Sequence, residues 1–115
     1  MPSLLDLRQA RADVRLHEVL ELLGWAARQR VGAQVRGPCP VHGSRSPSSR
    51  AFSAHLERGV WHGFSCGASG NVLDLWAQVT QQEIYPAVLE LYRRLGRTPP
   101  WLARWPRDNE AMNDP

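Results

Sequence analysis

Residues 39–43 read Cys-Pro-Val-His-Gly and residues 64–67 read Phe-Ser-Cys-Gly, and between them they hold both cysteines of the chain. A Cys-x2-His spacing lets a thiolate and an imidazole converge on one ion when the backbone makes a tight knuckle. That donor pair suits tetrahedral zinc. Cys66 sits in a second glycine-backed turn, separated from the first by a loop and a hairpin pattern that would bring the two side by side. Three protein ligands with a bound water are also how catalytic zinc is built. Hydrolysis, however, needs a general base beside the ligands, and the nearest carboxylate, Glu57, lies across the hairpin turn. Gly67-Ala68-Ser69-Gly70 lacks the spacing and flanking strand order of a nucleophile elbow. An independent hydrolase is therefore set aside.

The elements that must position these turns are legible from periodicity. Residues 13–25 carry Val14, Leu16, Val19, Leu20 and Leu23 on one face, with Asp13 as a cap and Gly24 as a stop, which predicts a helix. Residues 31–36 alternate and precede Gly-Pro, as a short strand would. From 43 to 50 the string GSRSPSSR is loop chemistry throughout. A hairpin follows, with strands near 51–56 and 60–64 and a turn at Glu57-Arg58-Gly59. Asn71 with Asp74 three residues on forms a capping arrangement for a helix that buries Val72, Leu73, Leu75, Trp76 and Val79. Ile84, Val88, Leu91, Tyr92 and Leu95 mark a last helix over 84–95, with Pro86 in its first turn and Gly96 at its end.

The chain has 115 residues, enough for one modest domain, and its composition of 43% hydrophobic and 22% charged residues is globular. No apolar run approaches the roughly 20 residues that span a bilayer. The first residues mix acids with arginines and lack the apolar region of a signal peptide, which predicts a cytoplasmic protein that does not engage membranes. In that compartment a Cys39–Cys66 disulfide is not favoured. The formal charge is +3, and all 14 basic residues are arginine. GC-rich coding bias accounts for the missing lysine as readily as phosphate recognition does. The clustering is more informative: residues 28–58 hold six arginines against Glu57 alone. Arg36, Arg45, Arg50 and Arg58, interleaved with Trp61 and Phe64, have the chemistry of a single-strand binding surface, where guanidinium meets phosphate and an aromatic stacks on a base. For Trp61, packing beneath the sheet is the competing role.

The segment from Cys39 to Thr80 resembles the zinc-binding domain at the N-terminus of bacterial DNA primases, the CHC2-type zinc finger. The matching residues are Cys39, Pro40, His42, Arg45, Ser46, Pro47 and Ser48, then Phe64, Cys66, Gly67, Gly70, Asn71, Leu73 and Asp74. The chain departs from that pattern in two places: Ser49-Arg50-Ala51 lengthens the loop, and Gly63 stands where the family has its third ligand. The resemblance thus implies one Zn²⁺ held by Cys39, His42 and Cys66. His62 is a candidate fourth donor if the backbone twists at Gly63; water is another, and a metal-free domain is the third alternative. It further implies a small α+β fold, zinc-ribbon-like, with an antiparallel sheet, an N-terminal helix and two C-terminal helices. The domain is predicted over residues 1–106, with its core at about 13–96 and a disordered tail at 107–115. The implied function is contact with single-stranded template DNA during primer initiation, with a primase polymerase domain, a helicase or a mobile-element protein as partner. No Asp-x-Asp pair is present to hold the magnesium of nucleotidyl transfer, so the chain is not predicted to be an enzyme. The alternative is a metal-free protein-interaction module derived from the same finger, for which Gly63 and the tryptophan-bearing tail speak.

Overall fold

The computed structural model describes residues 5–41, 50–64 and 67–101. His42, Arg45, Cys66 and the predicted tail at 107–115 lie outside these described residues. In place of one N-terminal helix over 13–25, the chain forms α1 (Leu7–Asp13) and α2 (Leu16–Leu22). Asp6 caps α1 by accepting from the Gln9 N–H at 3.1 Å. The break falls at Val14 and Arg15, both extended. Val14 turns into the core, and the Arg15 N–H donates to the Glu18 carboxylate at 2.9 Å, which starts α2 afresh. Asp13 is therefore not a cap. Its carboxylate instead accepts from Gln9 Nε2 and from the Tyr92 hydroxyl.

Five strands follow in a plain antiparallel meander: β1 (Gln29–Val31), β2 (Gln34–Gly37), β3 (Phe52–His55), β4 (Val60–Gly63) and β5 (Ser69–Asn71). The single strand predicted at 31–36 is thus a hairpin turning at Gly32-Ala33. The predicted β3–β4 hairpin is present, and Gly59 adopts φ +68° in its turn, a conformation L side chains resist. β5 was not predicted, because Ser-Gly-Asn has no strand propensity of its own. It forms because the chain after Gly63 folds straight back, with the Gly63 N–H donating to the Ala68 carbonyl at 2.7 Å.

Helix α3 (Val72–Thr80) begins as its sequence demands: Asn71 Oδ1 accepts from the Leu73 and Asp74 N–H groups, and Asp74 accepts from the Asn71 N–H. Helix α4 (Ile84–Leu95) buries Ala87, Val88, Leu91 and Tyr92 and ends at Gly96. The helices cover one face of the sheet, where Val35, Phe52, Ala54 and Trp61 meet Leu16, Val19, Leu73, Leu75, Trp76 and Leu91 in a single core. Leu5 and Ala10 belong to it, so packing extends before residue 13. Phe52 is its centre on the sheet side, with Trp25 edge-on at 5.4 Å and Trp61 stacked at 5.8 Å. The backbone must be bare beside Trp25: a Cβ on Gly37 would lie 2.7 Å from the indole.

Both ends of the described chain are tied together. Leu5 bridges to Trp101, and the Asp6 N–H donates to the Pro100 carbonyl at 2.7 Å. Arg97, just after α4, forms an ion pair with Glu18 of α2. The hydrogen bond from Arg97 holds the Glu18 carboxyl below its ordinary pKa of 4.5. Burial, with the Asp13 carboxylate adding to it, pushes the Tyr92 phenol up from 10.0 to about 12.

These shifts fix a pH window. A depressed carboxyl contributes stability that is present above its unfolded pKa and lost as pH falls through the folded one. A raised phenol contributes nothing below pH 10, where both states hold the proton, and lowers stability as pH climbs from 10.0 towards about 12. Urea denaturation against pH should therefore show a plateau with an acid and an alkaline shoulder. Arg97→Met should remove most of the Glu18 part of the acid shoulder, and Tyr92→Phe the alkaline one.

Candidate nucleic-acid interface and metal-ligand positions

Side chains alternate across a strand, so covering one face of the sheet assigns the other to solvent. Gln34 and Arg36 of β2, Ser53 and His55 of β3, and Val60 and His62 of β4 point to that open side, with Ser53 itself buried among its neighbours. The register aligns Arg36, Ser53, His62 and Ser69 in one row across four strands. Gln34, His55 and Val60 form the next row. Between the rows, Gln34 Nε2 donates to Ser53 Oγ at 2.9 Å, and in the β3–β4 turn the Arg58 N–H donates to His55 Nδ1 at 3.2 Å.

Phe64 follows β4 on the same side and is 55% exposed, unusual for a phenylalanine. Its ring is held from two directions. The Arg36 guanidinium lies 4.7 Å from the ring centroid, a cation–π contact, and the His62 imidazole meets it nearly perpendicular at 4.8 Å. Arg36 Nη2 donates to the Arg50 carbonyl at 2.7 Å, which ties β2 to the start of β3. Arg36 Nε is buried without a hydrogen-bond partner among the described residues. A basic, aromatic and imidazole surface of this kind can meet phosphate with its cation and a base with its ring. Arg50 and Arg58 are exposed at its margins, while Arg45 lies outside the described residues.

Trp61 takes the opposite place. It is 3% exposed, its ring stacks on Phe52, and its indole N–H donates to the Asn71 carbonyl at 2.8 Å. Trp61, read from the sequence as a candidate stacking residue, is thus packed beneath the sheet, and Phe64 is the exposed ring on the other face. The parity of β4 carried the signal: Val60, His62 and Phe64 share one phase, and Trp61 and Gly63 the other.

Of the family's ligand positions, the two that are described, 39 and 63, fall on the core side. Cys39 is buried two residues beyond β2, and Gly63 is buried opposite Phe52. The Gly63 carbonyl accepts from the Gly67 N–H at 2.8 Å. His62 stands on the other face of β4, against Phe64, and β4 keeps regular pairing through Gly63. The twist that would carry His62 to the side of Cys39 is thus absent from this strand. Among the described residues no three His, Cys, Asp or Glu side chains gather as a metal site, and His42 and Cys66 lie outside them. As a donor set, two thiolates and an imidazole still fit zinc, with one position left for water.

Comparison with known proteins decides the lineage: residues 6–103 match the family described as the CHC2 zinc finger. The chain belongs to that family. Its relatives include the DNA primase of Lactococcus lactis, 33% identical over 91 residues, covering 79% of this chain and 13% of the primase. The DNA primase of Mycobacterium tuberculosis is 30% identical over 94 residues, or 81% of this chain and 14% of the relative. This CHC2 domain therefore spans about an eighth of the length of the curated relatives it matches. Among solved structures, the Aquifex aeolicus primase (zinc-binding and RNA polymerase domains) aligns with a TM-score of 0.65 at 23% identity. That alignment covers 85% of this chain and 23% of the other, and it shows the shared fold. No described helix is long and apolar enough to cross a membrane.

The two aromatics of β4 and its margin should differ sharply in urea denaturation. Trp61→Ala removes a buried, stacked ring and should cost about 3–5 kcal/mol. Phe64→Ala, losing an exposed ring and one cation–π contact, should cost about 1 kcal/mol or less.

Proposed function

We propose that the chain is a DNA-binding module of primase type. It contacts single-stranded template DNA through the open face of its sheet and supports primer initiation, with nucleotidyl transfer carried out by a polymerase domain outside these 115 residues. The observation that carries this reading is Phe64, exposed and fixed between Arg36 and His62. An aromatic ring held in place loses little entropy when a base stacks on it. Arg36, Arg50 and Arg58, with Arg45 of the neighbouring loop, supply the phosphate contacts. The flat, side-chain-lined face fits an unpaired strand better than a duplex groove, which would call for a protruding basic helix. α3, with no arginine, is not such a helix.

Zinc, on this reading, is held by Cys39, His42 and Cys66 with water at the place Gly63 leaves open. When bound, it would brace the two knuckles that flank the sheet. Its affinity should be lower than that of a four-ligand site, because a protein ligand is replaced by solvent. The second reading, a metal-free protein-interaction module, draws on the same Gly63.

Fluorescence anisotropy with labelled oligo(dT) tests the DNA reading. Phe64→Ala should weaken binding by about 1–3 kcal/mol, the cost of one stacked base. Arg36→Ala and Arg58→Ala should each lower the salt slope by about one. Absence of oligonucleotide binding even at low salt would favour the protein-interaction module instead. For the metal, elemental analysis of tag-free protein should find zinc that Cys39→Ala abolishes and that Gly63→Cys holds more firmly against a chelator. A parent protein without zinc would remove the metal from this account and leave the sheet face to be tested alone.

A further inference from the structure

Beyond the end of β5, where Asn71 forms one margin, α1, α3 and the start of α4 flank a cleft of about 330 Å³, lined also by Leu7, Arg8, Arg11, Leu73, Asp74 and Ile84. It shares no residue with the Arg36–Phe64–His62 surface, so the function proposed above leaves it unused. Its apolar wall is aliphatic: Leu73 is buried, and Leu7 and Ile84 are half-buried. Arg8 and Arg11 stand on one side of α1, three residues apart, which puts their Cβ atoms about 5–6 Å from each other. Both are exposed and neither has an ion-pair partner among the described residues. Other arginines of the helical layer are engaged: Arg97 pairs with Glu18, Arg93 with Glu90, and Arg94 lies over Trp76. Just beyond Ile84, α4 also exposes Tyr85 and Leu89 one turn apart.

We propose that this cleft docks a short acidic segment of a partner protein, with an apolar side chain inserted against Leu7, Leu73 and Ile84 and carboxylates paired to Arg8 and Arg11. Charge complementarity selects the acid, and the aliphatic wall selects a peptide over a nucleic acid. Among the described residues no aromatic ring lines the cleft, so none is there for a base to stack on. Asp74, held in the wall by the Asn71 N–H at 2.9 Å, would repel a continuous run of phosphates. Carboxylates spaced along a peptide can meet the two arginines and avoid it. The segment anchors through one buried side chain and is oriented by its charges, the arrangement of a small interface with a central anchor and a polar rim.

The test uses the full chain and three labelled probes in anisotropy titrations: a short glutamate–leucine peptide, its lysine–leucine counterpart, and oligo(dT). The acidic peptide should bind and the basic one should not. Arg8→Glu with Arg11→Glu, and separately Ile84→Asp, should weaken the acidic peptide about tenfold or more, with circular dichroism unchanged. With salt at about 0.15 M, where charges more than about 8 Å apart are largely screened, neither change should alter oligo(dT) affinity by more than about twofold, since those residues lie off the sheet face. Equal binding of both peptides, or indifference to charge reversal, would overturn the proposal. So would loss of oligo(dT) binding on reversal without any peptide binding, which would give the cleft to nucleic acid. Peptide binding seen only after removal of residues 107–115 would give the cleft to the chain's own tail and equally overturn a partner. Failure of oligo(dT) to bind any form bears on the sheet face alone.

Discussion

The clamp on Phe52 fixes which way the sheet faces. Its ring is fully buried between Trp25 and Trp61, and the Trp25 indole is itself anchored by a 2.6 Å hydrogen bond to the Pro38 carbonyl. A slip of one residue in β3 would turn Phe52 outward and bring Ser53 against the tryptophans. Because that alternative forfeits the burial of a phenylalanine and strands a hydroxyl, the register is strongly specified. Every property of the open face then follows from parity. Arg36 is on it because Val35 and Gly37 are not, and His62 is on it because Trp61 stacks on Phe52.

The same partition separates the described metal-ligand positions from the open face. Gly37, Phe52 and Gly63 lie in register on the covered face, and Cys39 is buried beyond them. Arg36, Ser53 and His62 lie in register on the other. A side chain at position 63 would point to the side of Cys39, which is why His62, one residue away, stands on the open face. Losing a thiolate at position 63 therefore leaves the open face intact. The aromatic clamp, the chain-end pairing of Leu5 with Trp101 and the Glu18–Arg97 ion pair are all made by other residues.

The sequence made the local elements readable where a strong local interaction dictates them. Asn71 and Asp74 announce the start of α3, the apolar spacing from Ile84 to Leu95 marks α4, and Gly59 marks the hairpin turn. The break at Val14–Arg15 was not readable, because an apolar stripe runs through it and the capture of the Arg15 N–H by Glu18 competes with a continuous helix. β5 was not readable either, since its three residues have no strand propensity of their own and pair with β4 beside the hydrogen bond from Gly63 to Ala68. The choice between Trp61 and Phe64 lay within reach of strand parity, yet parity alone does not say which face is covered. That required knowing that Trp25 and the helices stand on the side of Trp61. The contact of Arg36 with Phe64 joins distant segments, and no local pattern contains it.

The most direct measurement of the central claim is an amide-resolved NMR titration of the labelled chain with oligo(dT). If the open face is the binding surface, shifts will concentrate at Arg36, Ser53, His62, Phe64 and Ser69, and α1 and α4 will stay silent. Shifts confined to the helices, with the row from Arg36 to Ser69 unmoved, would contradict the account.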